Sequence, residues 1–316
     1  MRKTLFSVIF LALFCFIEGL VFACETCSIP RLGREDGVTI KEGRDKRWFV
    51  KYVFEQHNWK EKPAAEANNL HEAGHHFHDK TTEEFYHFTL GNHPSDNFTL
   101  LLEMPYVVRH SLEIEDMDRL GQKEESDGFG DLSLIGDYRF FKASDMSLSA
   151  VTGIKLPSGY TKEKNSAGER FEPELQPGTG SIDYLFGGIY RQEADRLSLV
   201  ANAIYALKSE GSQHFKFGDF ISTSLFVDYL FNPQSKIFKT KIGLDANFQY
   251  EQRQYNRGTK VADSGGTTLF LGPSLETKAN GNISGFGSFL FPVYQNLGGV
   301  HQELDYAVNA GLKVDW

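Results

Sequence analysis

The chain has little cysteine: three residues, Cys15, Cys24 and Cys27, in 316. So few exclude a disulfide framework as the source of its stability. Basic charge is also in deficit, with 33 Lys and Arg against 42 Asp and Glu and a formal net charge of −9. A balance of that sign argues against nucleic acid as a partner, because phosphates demand a basic surface. Beyond the first 23 residues the chain also lacks any run approaching the roughly 18 uncharged apolar residues of a spanning helix.

What is present begins with "MRKTLFSVIFLALFCFIEGLVFA". Arg2 and Lys3, an apolar run from Leu5 to Ile17 and a Val21-x-Ala23 ending read as an export signal, residues 1–23, removed after Ala23. Its loss takes away Arg2, Lys3 and Glu18 and leaves 31 basic against 41 acidic residues. Residues 24–45 then form a periplasmic N-terminal segment that carries Cys24 and Cys27 as a C-x-x-C. In an oxidising envelope the pair reads as a small-loop disulfide or two idle thiols, with redox exchange or metal ligation as the alternatives. Phe22 stands where a lipoprotein signal carries a small or β-branched residue, which argues against lipidation of Cys24.

Residues 46–316 are rich in the aromatics that favour strands; the whole chain has 27 Phe and 13 Tyr. In "ELDYAVNAGLKVDW", Leu304, Tyr306, Val308, Ala310, Leu312, Val314 and Trp316 alternate with polar or small residues. This is a strand wetted on one face only, and it is long for a soluble sheet. "FGDLSLIGDYRFF" and "FKTKIGLDANFQYE" repeat the pattern, with Asp131, Asp137, Arg139, Lys239, Lys241, Asp245 and Glu251 on the polar face. A dry core does not accept so many charges, whereas a barrel with lipid outside and water inside does.

Twelve such segments fall near 46–58, 83–92, 97–110, 129–141, 147–157, 179–191, 197–208, 218–231, 237–251, 266–277, 282–294 and 303–316. The links after even-numbered strands are short, as in "HPSD", "KASDM", "QEADR", "NPQSK" and "KANGN". The first three after odd-numbered strands are long and polar. Short turns alternating with long loops around an even strand number mark an up-and-down transmembrane β-barrel, all-β and antiparallel, with periplasmic turns and external loops. It must close, because an open edge in lipid strands backbone donors and acceptors. The expected location is the outer membrane of a Gram-negative cell. Lipid and lipopolysaccharide are the expected surroundings, and the last strand is the expected handle for the barrel-assembly machinery. Trp48, Tyr52, Phe54, Tyr184, Phe186, Tyr190 and Trp316 suit interfacial aromatic girdles.

Strand parity points Lys51, Glu55, Glu103, Arg109, Asp131, Asp137, Arg139, Lys155, Asp183, Arg191, Asp228, Lys239, Lys241, Asp245 and Glu251 into the lumen, as the lining of a channel for small solutes. Carrying Cys24 and Cys27, the same barrel could instead scaffold a periplasmic or redox partner. The sequence resembles the bacterial outer-membrane family named for the meta-pathway of phenol degradation. The resemblance lies in "GFGDLSLIGDYRFF" (128–141), "TGIKLPSG" (152–159) and "PGTGSIDYLFGGIYR" (177–191). It implies a transporter-type, porin-like barrel with a loose link to aromatic degradation.

The first long loop departs from that family through "LHEAGHHFHD", which contains H-E-x-x-H as His71, Glu72 and His75. On a helix the two imidazoles share a face, as in a zinc hydrolase. Against catalysis, such a helix would ride on a loop above a barrel, whereas a zinc hydrolase needs a packed second element and a closed cleft around the water. Glu83 or Glu84 could supply a third ligand but lead straight into a strand. His110 and Ser111 make no catalytic pair, since neighbours on one strand leave by opposite faces. The chain is therefore not read as an enzyme. His71, His75, His76 and His78, with His57 and His87 beneath them, form a candidate zinc or copper site at the external mouth.

Overall fold

A computed structural model of the chain describes residues 47–61, 80–113, 122–235, 237–299 and 302–316. The signal, the segment with Cys24 and Cys27, and the loop with His71, Glu72, His75, His76 and His78 lie outside these residues.

The period-two segments form twelve antiparallel strands. They are β1 (Trp48–Trp59), β2 (Lys80–Ser95), β3 (Phe98–Glu113), β4 in two pieces (Gln122–Phe129 and Ser133–Lys142), β5 (Met146–Lys155) and β6 (Asp183–Ala194). There follow β7 (Leu197–Leu207), β8 (Phe220–Leu230), β9 (Phe238–Glu251), β10 (Gly266–Ala279), β11 (Ile283–Leu297) and β12 (Leu304–Asp315). Each pairs with its neighbour in sequence, and β1 pairs with β12 from Phe49↔Asp315 to Trp59↔Leu304, so the sheet closes on itself, with the first piece of β4 paired on its β3 side only. At the seam Trp48 and Trp316 exchange both backbone hydrogen bonds, 3.1 and 2.9 Å. The structure is thus an all-β, closed twelve-stranded barrel. No helix among the described residues is long and apolar enough to cross a membrane.

Turns of a few residues join the strands at one end, which also holds the β1–β12 seam at Trp48 and Trp316; we call it the turn end, and the other the loop end. Asp195 (φ 54) between β6 and β7, and Asn280 (φ 48) with Gly281 (φ 72) between β10 and β11, supply the left-handed backbone that tight hairpins need.

The outer face is apolar along most of its length. Val50, Phe88, Leu102, Leu134, Phe186, Leu244, Leu275 and Leu312 are all exposed there. In water such a surface is an aggregation hazard, and in lipid it is the solvated face. Cross-strand registers set Phe54, Tyr86, Tyr106 and Phe129 side by side, with ring centroids 5.4, 6.5 and 5.2 Å apart. This outward aromatic row around β1 to β4 is the kind of arrangement an interfacial girdle requires. Trp48, Trp316, Tyr184 and Phe186 are exposed, while Tyr52, Phe54 and Tyr190 are half-buried among their neighbours.

Three local features depart from the sequence-based expectation. First, the charged run "QKEESDGF" is strand rather than loop, paired with the outer half of β3 from Tyr106↔Phe129 to Glu113↔Gln122. Second, β4 is broken opposite Pro105, which has no N–H to offer; Gly130 N instead donates to Pro105 O at 2.9 Å. Third, Leu304 does not share the outward face of Tyr306 to Trp316. A register shift at Asn58/Trp59 turns it inward, where it is 1% exposed against Phe270, Leu290, Ala307 and Trp59.

Candidate functional site

Residues of opposite parity to the exposed apolar face point into the barrel. Lys51, Glu55, Glu103, Arg109, Asp131, Asp137, Arg139, Lys155, Asp183, Arg191, Asp228, Asp245 and Glu251 are all buried there. Lys241 is half-buried and meets Glu276 at 3.4 Å, while Lys239, one rung nearer the turn, is exposed. So many buried charges require compensation, since removing an ion from water costs several kcal/mol even after relaxation.

At the loop end the compensation is a compact cluster. Lys155 Nζ lies 3.1 Å from Asp131 and 2.8 Å from Asp183, and Lys208 Nζ lies 3.1 Å from Asp183. Asp131 also accepts Gly159 N at 2.9 Å, Thr179 N at 2.8 Å and Thr179 Oγ1 at 2.6 Å. Asp183 accepts Ser181 Oγ at 2.9 Å and Ser209 N at 3.2 Å. The three sequence motifs of the family resemblance therefore meet at one place. Their glycines cross there as well: a Cβ on Gly178 would lie 2.6 Å from Gly159 C and Cα, and one on Gly159 2.7 Å from Gly130 C. Only glycine allows the backbones to pass so closely.

This crossing holds the segment between β5 and β6, residues 156–182, against the barrel. The segment turns inward and buries Phe171 and Gln176. Arg109, paired through Nε with Glu83 at 2.7 Å, donates from Nη1 to Gln176 O at 3.1 Å. Gln176 donates to Phe171 O at 2.8 Å, and Gln213 donates to the same carbonyl at 3.1 Å. Phe215 and Phe217, buried and edge-to-face at 5.0 Å, come from the β7–β8 connection. A small sheet of Phe215–Lys216, Tyr255–Asn256 and Thr259–Lys260 ties that connection to the one after β9. Three connections together narrow the loop end.

Below them lies a lumen cavity of about 80 Å³, counted as room for the centres of water molecules, with Lys51, Glu55, His87, Glu103, Asp245 and Asn247 among its walls. At roughly 10–15 Å³ each, that admits several waters. His57 Nε2 is 2.5 Å from Glu55, and His87 Nδ1 is 3.0 Å from Glu103. Phe85 lies between the two imidazoles, at 5.5 and 6.1 Å. Outside that lining, Leu101, Ile135, Val151, Leu185, Ile189, Val200 and Ile204 form a continuous buried apolar cluster across β3 to β7.

At the turn end Phe49 is fully buried, its ring lying on Gly91, where a Cβ would be 2.0 Å away. His93 lies tilted against it, with ring centroids 5.3 Å apart, and Lys313 Nζ approaches the ring to 4.2 Å. Phe49 thereby fills part of the lumen on that side.

Among the described residues, no group of three or more His, Cys, Asp or Glu is placed to hold a metal ion. Glu83 is engaged by Arg109, and Glu84 accepts Tyr86 Oη at 2.6 Å. Ser111 is buried while the His110 side chain is 49% exposed on the other face.

Several interior residues went unnamed in the sequence-based list. Glu83 and Lys208 continue the inward parity of their strands and were open to the same reasoning. Gln176 and Phe171 sit in a connection with no periodicity, so nothing in the sequence marked them.

No family model and no curated protein matches the chain. Among solved structures, an outer-membrane channel from Pseudomonas putida F1 superposes with a TM-score of 0.58 at 16% identity, over 90% of this chain and 98% of that one. The β domain of the Bordetella autotransporter BrkA gives 0.52 at 10% identity, over 86% and 100%. At these identities the likeness is one of fold.

Proposed function

We propose that the chain is an outer-membrane channel for small solutes. The observation that carries this reading is the inversion of the barrel: apolar side chains cover its outside, while charged and polar ones face a lumen that retains a water-sized cavity. Lipid and lipopolysaccharide surround such a barrel, and its last strand engages the assembly machinery. Passage is by diffusion past the paired charges and the buried apolar cluster of the lumen, filtered by the connections at the loop end. The mouth carries a zinc or copper site made by His71, His75, His76 and His78, with His57 and His87 below.

The test is single-channel conductance of refolded protein in a planar bilayer, before and after zinc. Small, steady steps are expected, and zinc is expected to block them from the loop side. A silent bilayer, with the barrel shown to be folded by heat-dependent gel mobility, would overturn the channel. The tight packing at both ends of the lumen favours one second reading, a barrel that displays Cys24 and Cys27 to a periplasmic redox partner. That reading would take over if the bilayer stays silent.

A further inference from the structure

Most buried charges of the lumen meet partners, but one group at the turn end has donors to spare. Arg139 on β4 is paired in register with Ser149 on β5, and Arg191 on β6 with Ser147 on β5. All four point inward and are at least nine-tenths buried. Arg191 Nε, Arg191 Nη2, Arg139 Nε and Ser147 Oγ have no hydrogen-bond partner. Arg191 Nη1 makes only a long bond of 3.4 Å to Ser149 Oγ, and its Nη2 stands 3.5 Å from Asp137 Oδ2, beyond a good hydrogen bond. Arg139 Nη2 is spent on the Asp96 carbonyl.

The unpaired edge of Arg191, Nε with Nη2, is the side of a guanidinium that presents two parallel N–H bonds to two oxygens of one anion. Charge points the same way. The register across β5 brings Arg139 and Arg191 to the same inward face, two cations side by side. Asp137 is the buried carboxylate beside Arg191, and Asp96 sits on the exposed turn. Water could accept the spare hydrogen bonds, but donors left unpaired on a buried cation are costly, and a bound anion would supply both acceptors and opposite charge. We infer that the turn end of the lumen holds a binding site for a small oxyanion, a carboxylate or a phosphate, formed by Arg139, Arg191, Ser147 and Ser149. In a conducting barrel this site would be the last station before the periplasm. Its existence does not depend on conduction.

The experiment is calorimetric titration of the full, detergent-solubilised barrel with inorganic phosphate and, separately, with acetate, at constant ionic strength in chloride. Saturable binding of at least one probe is expected, and the stronger of the two identifies the class. Arg191→Gln should weaken it by about tenfold or more, as loss of a bidentate charged contact does. Asp137→Asn, which removes the competing carboxylate, should tighten it. Folding of each variant is checked by gel mobility. If Arg191→Gln fails to fold, Arg191→Lys keeps the charge, loses the fork and must still weaken binding. Absence of saturable binding with both probes would overturn the site. Equal binding by wild type and the Arg191 variant, or weaker binding by Asp137→Asn, would do the same.

Discussion

The cluster of Asp131, Lys155, Asp183 and Lys208 makes a quantitative prediction through Asp183→Asn. Asp183 is 0% exposed and touches both lysines, at 2.8 and 3.1 Å. Asparagine keeps its shape, so the change is one of charge: two buried lysines are left with one buried aspartate. Removing one partner of a buried pair costs about 3–5 kcal/mol, because the remaining charge stays desolvated. The site lies near the loop end, where water can relieve part of that cost, so a loss of about 3 kcal/mol is expected. This is roughly a hundredfold in the folding equilibrium, at about 1.4 kcal/mol per factor of ten. The double variant Asp183→Asn/Lys208→Met restores a balance of one lysine to one aspartate and should return to within about 1 kcal/mol of wild type. The assay is urea unfolding of the refolded barrel, read by fluorescence of Trp48, Trp59 and Trp316, together with trypsin cleavage at Lys162, Lys164 and Arg170. Cleavage should quicken in the single variant as the segment 156–182 loosens. A stability loss below about 1 kcal/mol with unchanged cleavage would refute the claim that this cluster holds the segment.

Two further substitutions separate the outside of the barrel from the inside. Leu244→Arg, on the exposed apolar face near the middle of β9, should cost about 2–4 kcal/mol in vesicles. Unfolding titrations that show no loss would mean that this face does not meet lipid. Phe49→Ala removes the ring that lies on Gly91 at the turn end and should destabilise by about 3 kcal/mol while raising single-channel conductance. An unchanged conductance would mean that Phe49 does not limit the path.

The fold was legible because every strand faces two solvents, so period two is written along the chain and the connection lengths give the order. Legibility ended where the two faces stop differing. "QKEESDGF" extends the β3–β4 hairpin as a strand held by backbone pairing, and its charges show no alternation to read. Leu304 was misplaced for another reason: its parity is right up to the register shift and wrong beyond it, and a bulge has no fixed residue signature. Parity found the buried charges one by one but could not tell which of them meet. Lys155 stands directly opposite Asp183 on one neighbouring strand and opposite Ser133, two residues after Asp131, on the other, so it is the cross-strand register, which parity does not give, that brings them together. Lys239 kept its parity yet is exposed, because the last rung before a turn faces water whichever way it points.

The narrowing at the loop end is part of the barrel wall rather than a lid resting on it. A lid needs contacts that break cheaply, and loops that move are drawn from the least stable parts of a structure. Here the segment 156–182 leaves β5 directly after Lys155 and enters β6 at Asp183, so its two ends are the very residues of the buried charge cluster. Between them Gly159 and Gly178 cross in backbone contact, and Asp131 accepts from the amides of Gly159 and Thr179 at the break in β4. Moving the segment outward would separate all of these together and expose Phe171 and Gln176 as well. In a channel built this way the width of the path is fixed by the wall. Change of state then falls to side chains that can move without breaking that crossing, and Arg191, whose Nε and Nη2 lack hydrogen-bond partners at the turn end of the lumen, is one such side chain among the described residues.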